Sequence, residues 1–199
     1  GNVSNMEVLQ TADGTNYIQI GANAKSANLE SIVGGTGSDT IDASEFEGGI
    51  SLDVGGGDDS VIVYNADSIA DNTLVGGDGT DTLAIAQAGV LEDEDMAGLS
   101  GFEVLQAAQS GASQITVGEN AEVGGLEQVI GGDDNDVLDA SDYKGAVTLM
   151  GGEGDDSLVV STGDRLGQQE IIGGAGTDTL AFAVEGLSVT QADLLPTAF

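Results

Sequence analysis

The amino-acid sequence predicts an all-β chain, a right-handed parallel β-helix or β-roll of about ten coils of roughly 20 residues each. Three observations predict it. Six glycine-rich turns carry an aspartate at one fixed place, short β-prone segments follow them at a near-constant interval, and the chain duplicates itself over about 97 residues. Stacked coils are the architecture that converts such a period into repeated corners.

The turns follow the pattern G-G-x-G-x-D-x-U-x, with U apolar. They are GGTGSDTID from Gly34, VGGGDDSVI from Val54, GGDGTDTLA from Gly76, GGDDNDVLD from Gly131, GGEGDDSLV from Gly151 and GGAGTDTLA from Gly173. Two depart from it: Val54 replaces a first-position glycine, and Asp134 a fourth-position one. The sixth-position aspartate is present in all six, as Asp39, Asp59, Asp81, Asp136, Asp156 and Asp178.

Glycine lets the backbone take positive φ and turn its carbonyls inward. The carboxylate adds a hard anionic oxygen of the kind Ca²⁺ seeks, and calcium takes six to eight oxygens at roughly 2.3–2.6 Å. One turn cannot supply that number, so an ion has to be shared between turns on successive coils. The apolar residue two places on (Ile41, Val61, Leu83, Leu138, Leu158, Leu180) opens a strand with its side chain inward. Each motif thus specifies half a metal site and half a coil wall.

Composition narrows the function. The 35 acidic residues against Lys25, Lys144 and Arg165 give a formal charge of −32, which excludes nucleic acid as a partner and repels an anionic membrane. The same charge predicts a calcium-free form that is expanded or poorly folded. A hydrophobic content of 40% with strong β-formers separates the chain from a disordered acidic tail. The absence of cysteine removes disulfides and zinc thiolates, and the absence of histidine removes the usual general base. No apolar run approaches the ~18 residues of a membrane span, so no transmembrane segment is expected.

In order, NMEVLQTA from Asn5 returns as GFEVLQAA from Gly101, a shift of 96, and LESIVGG from Leu29 returns as LEQVIGG from Leu126, a shift of 97. Two units follow, 1–97 and 98–199, in one continuous solenoid. Within each unit the aspartates recur at about one coil length, from Asp39 to Asp59 to Asp81 and from Asp136 to Asp156 to Asp178. A much wider gap, from Asp81 to Asp136, separates the two sets. Five coils per unit are expected, three with a metal turn and two without. The plainer coils draw on MEVLQ, YIQI and LESIV, and on FEVLQ, QITV and LEQVI, which alternate apolar and polar residues as one-sided strands do. The far edge reads DASEFEGG from Asp42 and DASDYKGA from Asp139. There each Asp starts a local Asx-type turn, and Phe46 or Tyr143 packs as a cap over the coil end. LEDEDMAGLSGF from Leu91 is a short helical or irregular excursion whose four acids form a solvated face. Asp58, Asp78, Asp133 and Asp155, at variable positions, are expected beside the metal column and not in it.

The run from Gly34 to Gly89, followed by GFEVLQ, resembles the RTX β-solenoid region of bacterial S-layer proteins of the Caulobacter type, and is similar to modules of large type I-secreted adhesins. The resemblance covers nearly the whole chain. It implies calcium as the bound ion, one-step export, folding outside the cell and a structural role in an S-layer or surface fibre. It implies as ligands the six aspartates and the turn carbonyls, the matching glycines being Gly34, Gly37, Gly76, Gly79, Gly131, Gly151, Gly154, Gly173 and Gly176. Because each nonapeptide stands alone in its coil, one column of ions on one edge is expected.

Three functions compete: a calcium-dependent structural module that associates with itself or with neighbouring repeats, a ligand-binding adhesin segment, and a polysaccharide-processing enzyme. The enzyme reading fails on chemistry. No motif sets a nucleophile beside a base, and three cations cannot hold a polyanionic substrate. Two similar units favour the structural module over an elaborated recognition domain.

Overall fold

The computed structural model describes residues 5–70, 72–161 and 169–183. They form three parallel sheets. A central sheet of eight strands comprises, in spatial order, Tyr17–Gln19, Thr40–Ala43, Ser60–Val63, Thr82–Ile85, Val104–Gln106, Gln128–Ile130, Thr148–Glu153 and Glu170–Ala175. A first flanking sheet holds Val8–Gln10, Ser31–Val33, Ser51–Asp53, Thr73–Val75 and Leu99–Ser100, and a second holds Val90–Leu91, Gln114–Thr116, Val137–Ala140, Ser157–Val160 and Thr179–Phe182.

Every strand pairs with its counterpart one coil away, so the chain climbs as a solenoid. The coils are not of one length: in the central sheet the step from Ile41 to its partner Val61 is shorter than the step from Leu105 to Val129. Four-residue strands with alternating burial, such as Thr40–Ala43 and Ser60–Val63, put every second side chain inside. The register then stacks Ile41, Val61, Leu83, Leu105, Val129 and Leu149 in one buried file. At about 1.5–3 kcal/mol for each such side chain removed from water, these files supply the apolar part of the fold's stability.

The corner opposite the glycine turns carries short helical segments: Ala22–Ser26, Asp67–Ala70 and Glu119–Gly124, which sequence reading did not anticipate, and a 3-10 helix at Asp93–Gly98, within the excursion expected from Leu91. Gly21 precedes the first of them, Gly118 and Gly125 bound the third, and the segments are too short for a helical period to stand out. Phe46 and Tyr143 are buried in the core cluster, as caps should be. Asp42 accepts from Ser44 N at 3.1 Å, and Asp139 from Ser141 N at 2.8 Å, the local turns expected at the start of that edge.

Two expectations change. A unit does not hold five coils: from Leu9 the first flanking sheet climbs through Ile32, Leu52 and Leu74 to Leu99 in four steps. The duplicate of Leu9 is Leu105, which lies part of a coil further on, in the central sheet. Coils longer than the sequence pattern suggests leave room for four and a fraction in the first unit. That fraction also overturns the single column. The first unit's glycine turns enter central-sheet strands, whereas those of the second unit leave them. Strands in this sheet are parallel, so the two sets of turns lie on opposite edges of it.

Candidate metal centre

Each sixth-position aspartate is placed by the turn before it and the strand after it, and the register stacks one above the next. Asp39, Asp59, Asp81, Asp136 and Asp156 are at most 3% exposed, an unusual state for carboxylates. One oxygen of each is accounted for. Asp59 Oδ1 accepts from Asp39 N at 2.6 Å and Asp81 Oδ1 from Asp59 N at 2.8 Å. Across the sheet, Asp156 Oδ1 accepts from Asp136 N at 2.8 Å and Asp178 Oδ1 from Asp156 N at 3.1 Å. Each column starts on an uncharged donor: Asn16 N gives to Asp39 Oδ1, and Ser113 N to Asp136 Oδ1.

The second oxygen is the telling one. Oδ2 of Asp39, Asp59, Asp81 and Asp156 is buried without a hydrogen-bond partner, a costly arrangement for an anionic oxygen. Asp136 Oδ2 differs in accepting from Gly132 N at 2.6 Å. The charged groups acting on Asp81 are the carboxylates of Asp59, Glu103 and Asp58. Together with burial, the larger cause, they push its pKa up to about 6. Burial likewise raises Asp59 and Asp156, against the main-chain hydrogen bonds that lower them.

The first-position glycines explain themselves by space. A Cβ on Gly76 would stand 2.8 Å from Asp81 Oδ2, and one on Gly131 2.7 Å from Asp136 Oδ2. In each case a carbonyl of the next coil, from Gly101 or Gly151, crowds the same point. Gly34 faces Val54 O, Gly151 faces Gly173 O and Asp156 Oδ2, and Gly173 faces Asp178 Oδ2. The fourth-position glycines serve a different need. Gly37, Gly79, Gly154 and Gly176 take φ between +105° and +142°, the left-handed range that side chains resist. They pack against the turn one coil below.

The orphaned buried oxygens of the aspartates therefore fit a cation. The donors are oxygens alone, a buried carboxylate in the turns of Asp39, Asp59, Asp81, Asp136 and Asp156 and, beside the last three, a carbonyl from the coil above, which suits a hard ion such as calcium and not a thiophilic metal. Among the described residues no three acidic side chains converge as a ready-made cage, so main-chain carbonyls have to complete any coordination shell. The departures also have places. Val54 is fully buried in the apolar core, which deprives its turn of the glycine cradle, although Asp59 keeps its ladder bond. Asp134 Oδ2 accepts from Gly111 N at 2.7 Å and so is occupied by main chain.

The sequence profile of the RTX calcium-binding nonapeptide repeat (4 copies) matches residues 30–45, 68–84 and 130–165. This is an RTX-type calcium-binding repeat chain. The RTX repeats bind calcium, and the matched residues contain the turns of Asp39, Asp81, Asp136 and Asp156. The RTX turn altered by Val54 and the last turn, at Gly173, fall outside the match. Neither a curated protein nor a solved structure matches the chain.

Other acids divide by neighbourhood. Asp58 and Asp155 stand beside the two RTX columns, one on each edge, accepting from Thr80 N at 2.9 Å and Thr177 N at 2.7 Å. Asp93 departs from the solvated face expected of its segment. Its carboxylate accepts from Gly118 N, Asn120 N and Ala121 N at 2.7–3.0 Å and caps the helix at Glu119–Gly124. The large sequence distance between acid and helix hides that role.

Proposed function

We propose that the chain is a calcium-dependent structural module of an exported surface protein, of S-layer type, which folds and assembles when it meets calcium outside the cell. What carries the reading is the set of buried, unpartnered Oδ2 atoms of Asp39, Asp59, Asp81 and Asp156, of which those of Asp81 and Asp156 lie against the same glycine as a carbonyl of the neighbouring coil. A metal-free column of this kind opposes folding, and a cation in it joins coil to coil. The free energy of metal binding is then free energy of folding. Secretion by a type I system and association with further repeats belong to the same reading. Among the described residues no helix is long and apolar enough to cross a membrane.

On this reading the module acts as scaffold and not as enzyme: each buried aspartate among the described residues has one oxygen tied to a main-chain N–H group in a ladder. Phe46 and Tyr143 support scaffold over glycan-binding segment, since both rings are buried and offer no stacking platform. The test is far-UV circular dichroism during calcium removal and return. Chelation is expected to abolish the β signal or sharply lower the melting temperature, and millimolar calcium to restore it. A spectrum and melting temperature indifferent to chelator sink the reading.

A further inference from the structure

We propose that Glu103 closes a further divalent-cation site, at the junction of the two duplicated units, together with Asp81 and the carbonyl of Gly101. The proposal rests on the reading of the carboxylate columns as calcium sites and carries it to a coil that has no glycine nonapeptide.

Register makes the first argument. Thr82 pairs with Val104, so Glu103 stands one coil above Asp81. Glu103 Oε2 accepts from Asp81 N at 2.8 Å, the bond that Asp59 and Asp81 make to the aspartates beneath them. Glu103 is thus the next member of the first column, although no sequence motif marks it.

The second argument is the half-site below. Asp81 is wholly buried and its Oδ2 has no partner. That oxygen lies 2.8 Å from the point a Cβ on Gly76 would take, and the Gly101 carbonyl lies against the same point. Gly101 therefore does for Asp81 what Gly151 and Gly173 do for Asp136 and Asp156. Asp81 Oδ2 and the Gly101 carbonyl both lie against Gly76, and Glu103, held one coil above by its bond from Asp81 N, brings a second carboxylate to the same corner. Oxygens of this kind suit a hard divalent ion, and a single Ca²⁺ neutralises both acids.

The corner itself is built differently. Gly76 to Asp81 bridges the strands at Val75 and Thr82, whereas Gly101, Phe102 and Glu103 alone bridge Ser100 and Val104. No glycine loop is present to swing an aspartate inward, and the acid found there is one methylene longer. Phe102 fills the interior and is fully buried. The same corner opens the first unit: Asn5, the duplicate of Gly101, has φ +57° against +65°, and Glu7 follows as the counterpart of Glu103.

The experiment counts calcium bound by the full 199-residue chain, in competition with a chromophoric chelator, with circular dichroism recording the fold. Glu103→Gln keeps an oxygen for Asp81 N and is expected to bind one calcium fewer than the parent. Glu103→Asp keeps the charge, loses the reach and is expected to do the same. Glu127→Gln, an exposed acid one coil further along, is expected to bind the parental number. Retention of every calcium by both Glu103 variants overturns the proposal. Should they retain it while Asp59→Asn and Asp156→Asn each lose one ion, the junction site alone falls; should all four retain it, the reading of the columns falls too.

Discussion

Replacing Asp81 by asparagine is expected to stabilise the chain without calcium and destabilise it with calcium. The structure supplies both signs. Asparagine keeps an oxygen for Asp59 N–H, now held at 2.8 Å by Oδ1. In place of the unpartnered Oδ2 it offers an NH₂ group facing the Gly101 carbonyl. In the metal-free fold the pKa of Asp81 is lifted from 3.8 to about 6. At about 1.36 kcal/mol per unit, that disfavours the ionised form by about 3 kcal/mol. Water and counter-ions at the turn edge screen part of this, leaving on the order of 1–2 kcal/mol for asparagine to recover. For a chain of this size that is a rise of about 4 °C in melting temperature.

With calcium at about 1,000 times its dissociation constant, a lost site removes about 4 kcal/mol. Set against the recovered 1–2 kcal/mol, the variant ends about 2–3 kcal/mol below the parent, and its melting temperature falls by several degrees. Thermal melts of parent and variant at pH 7, in chelator and in excess calcium, read both numbers. Shifts of the same direction in the two buffers refute the reasoning, because a purely structural aspartate has no cause to change sign.

In chelator, stability is expected to rise as pH falls from 7 to 4. The folded pKa of Asp81 exceeds its ordinary value, so its contribution is fully present below about 4 and lost as pH rises through about 6; a urea midpoint that falls over this range on acidification counts against it. Gly151→Ala puts a Cβ against Asp156 Oδ2 and the Gly173 carbonyl and is expected to cost about 1–3 kcal/mol and one calcium, while Gly89→Ala, with nothing within 4 Å, changes neither. Asp93→Ala is expected to cost about 1–2 kcal/mol and to speed amide exchange at Gly118–Ala121 with no change in calcium bound.

What the sequence discloses is what a single coil specifies. The turn pattern and the inward apolar residue that follows are local, so Asp156 and Leu158 can be placed by counting along a single motif. Whatever depends on how one coil meets another is hidden. Asp93 capping a helix in the following coil, and Glu103 continuing a column of aspartates, leave no local mark because their partners are set by register. The edge switch is hidden for the same reason. Counting along the chain gives the length of the repeated unit, but deciding whether that is a whole number of coils requires each coil's length. These differ, as the unequal steps from Ile41 to Val61 and from Leu105 to Val129 show.

A fractional number of coils per unit has a physical consequence for how the units hold together. Had the repeat been a whole number, corresponding segments would share a sheet and all six turns would line one edge. Instead Val104–Gln106, the second unit's first strand in the central sheet, lies on Thr82–Ile85, the first unit's last strand in that sheet. The cradle beside Asp81 is roofed by Gly101, beyond the boundary at residues 97 and 98. The last turn of one unit is therefore completed by the first residues of the next. In a stack where each coil touches its neighbours alone, a contact of this kind adds to the strand pairing that joins the two units. The proposed ion in that cradle needs the Gly101 carbonyl of the second unit, so on that proposal calcium binding at Asp81 and docking of the second unit favour each other.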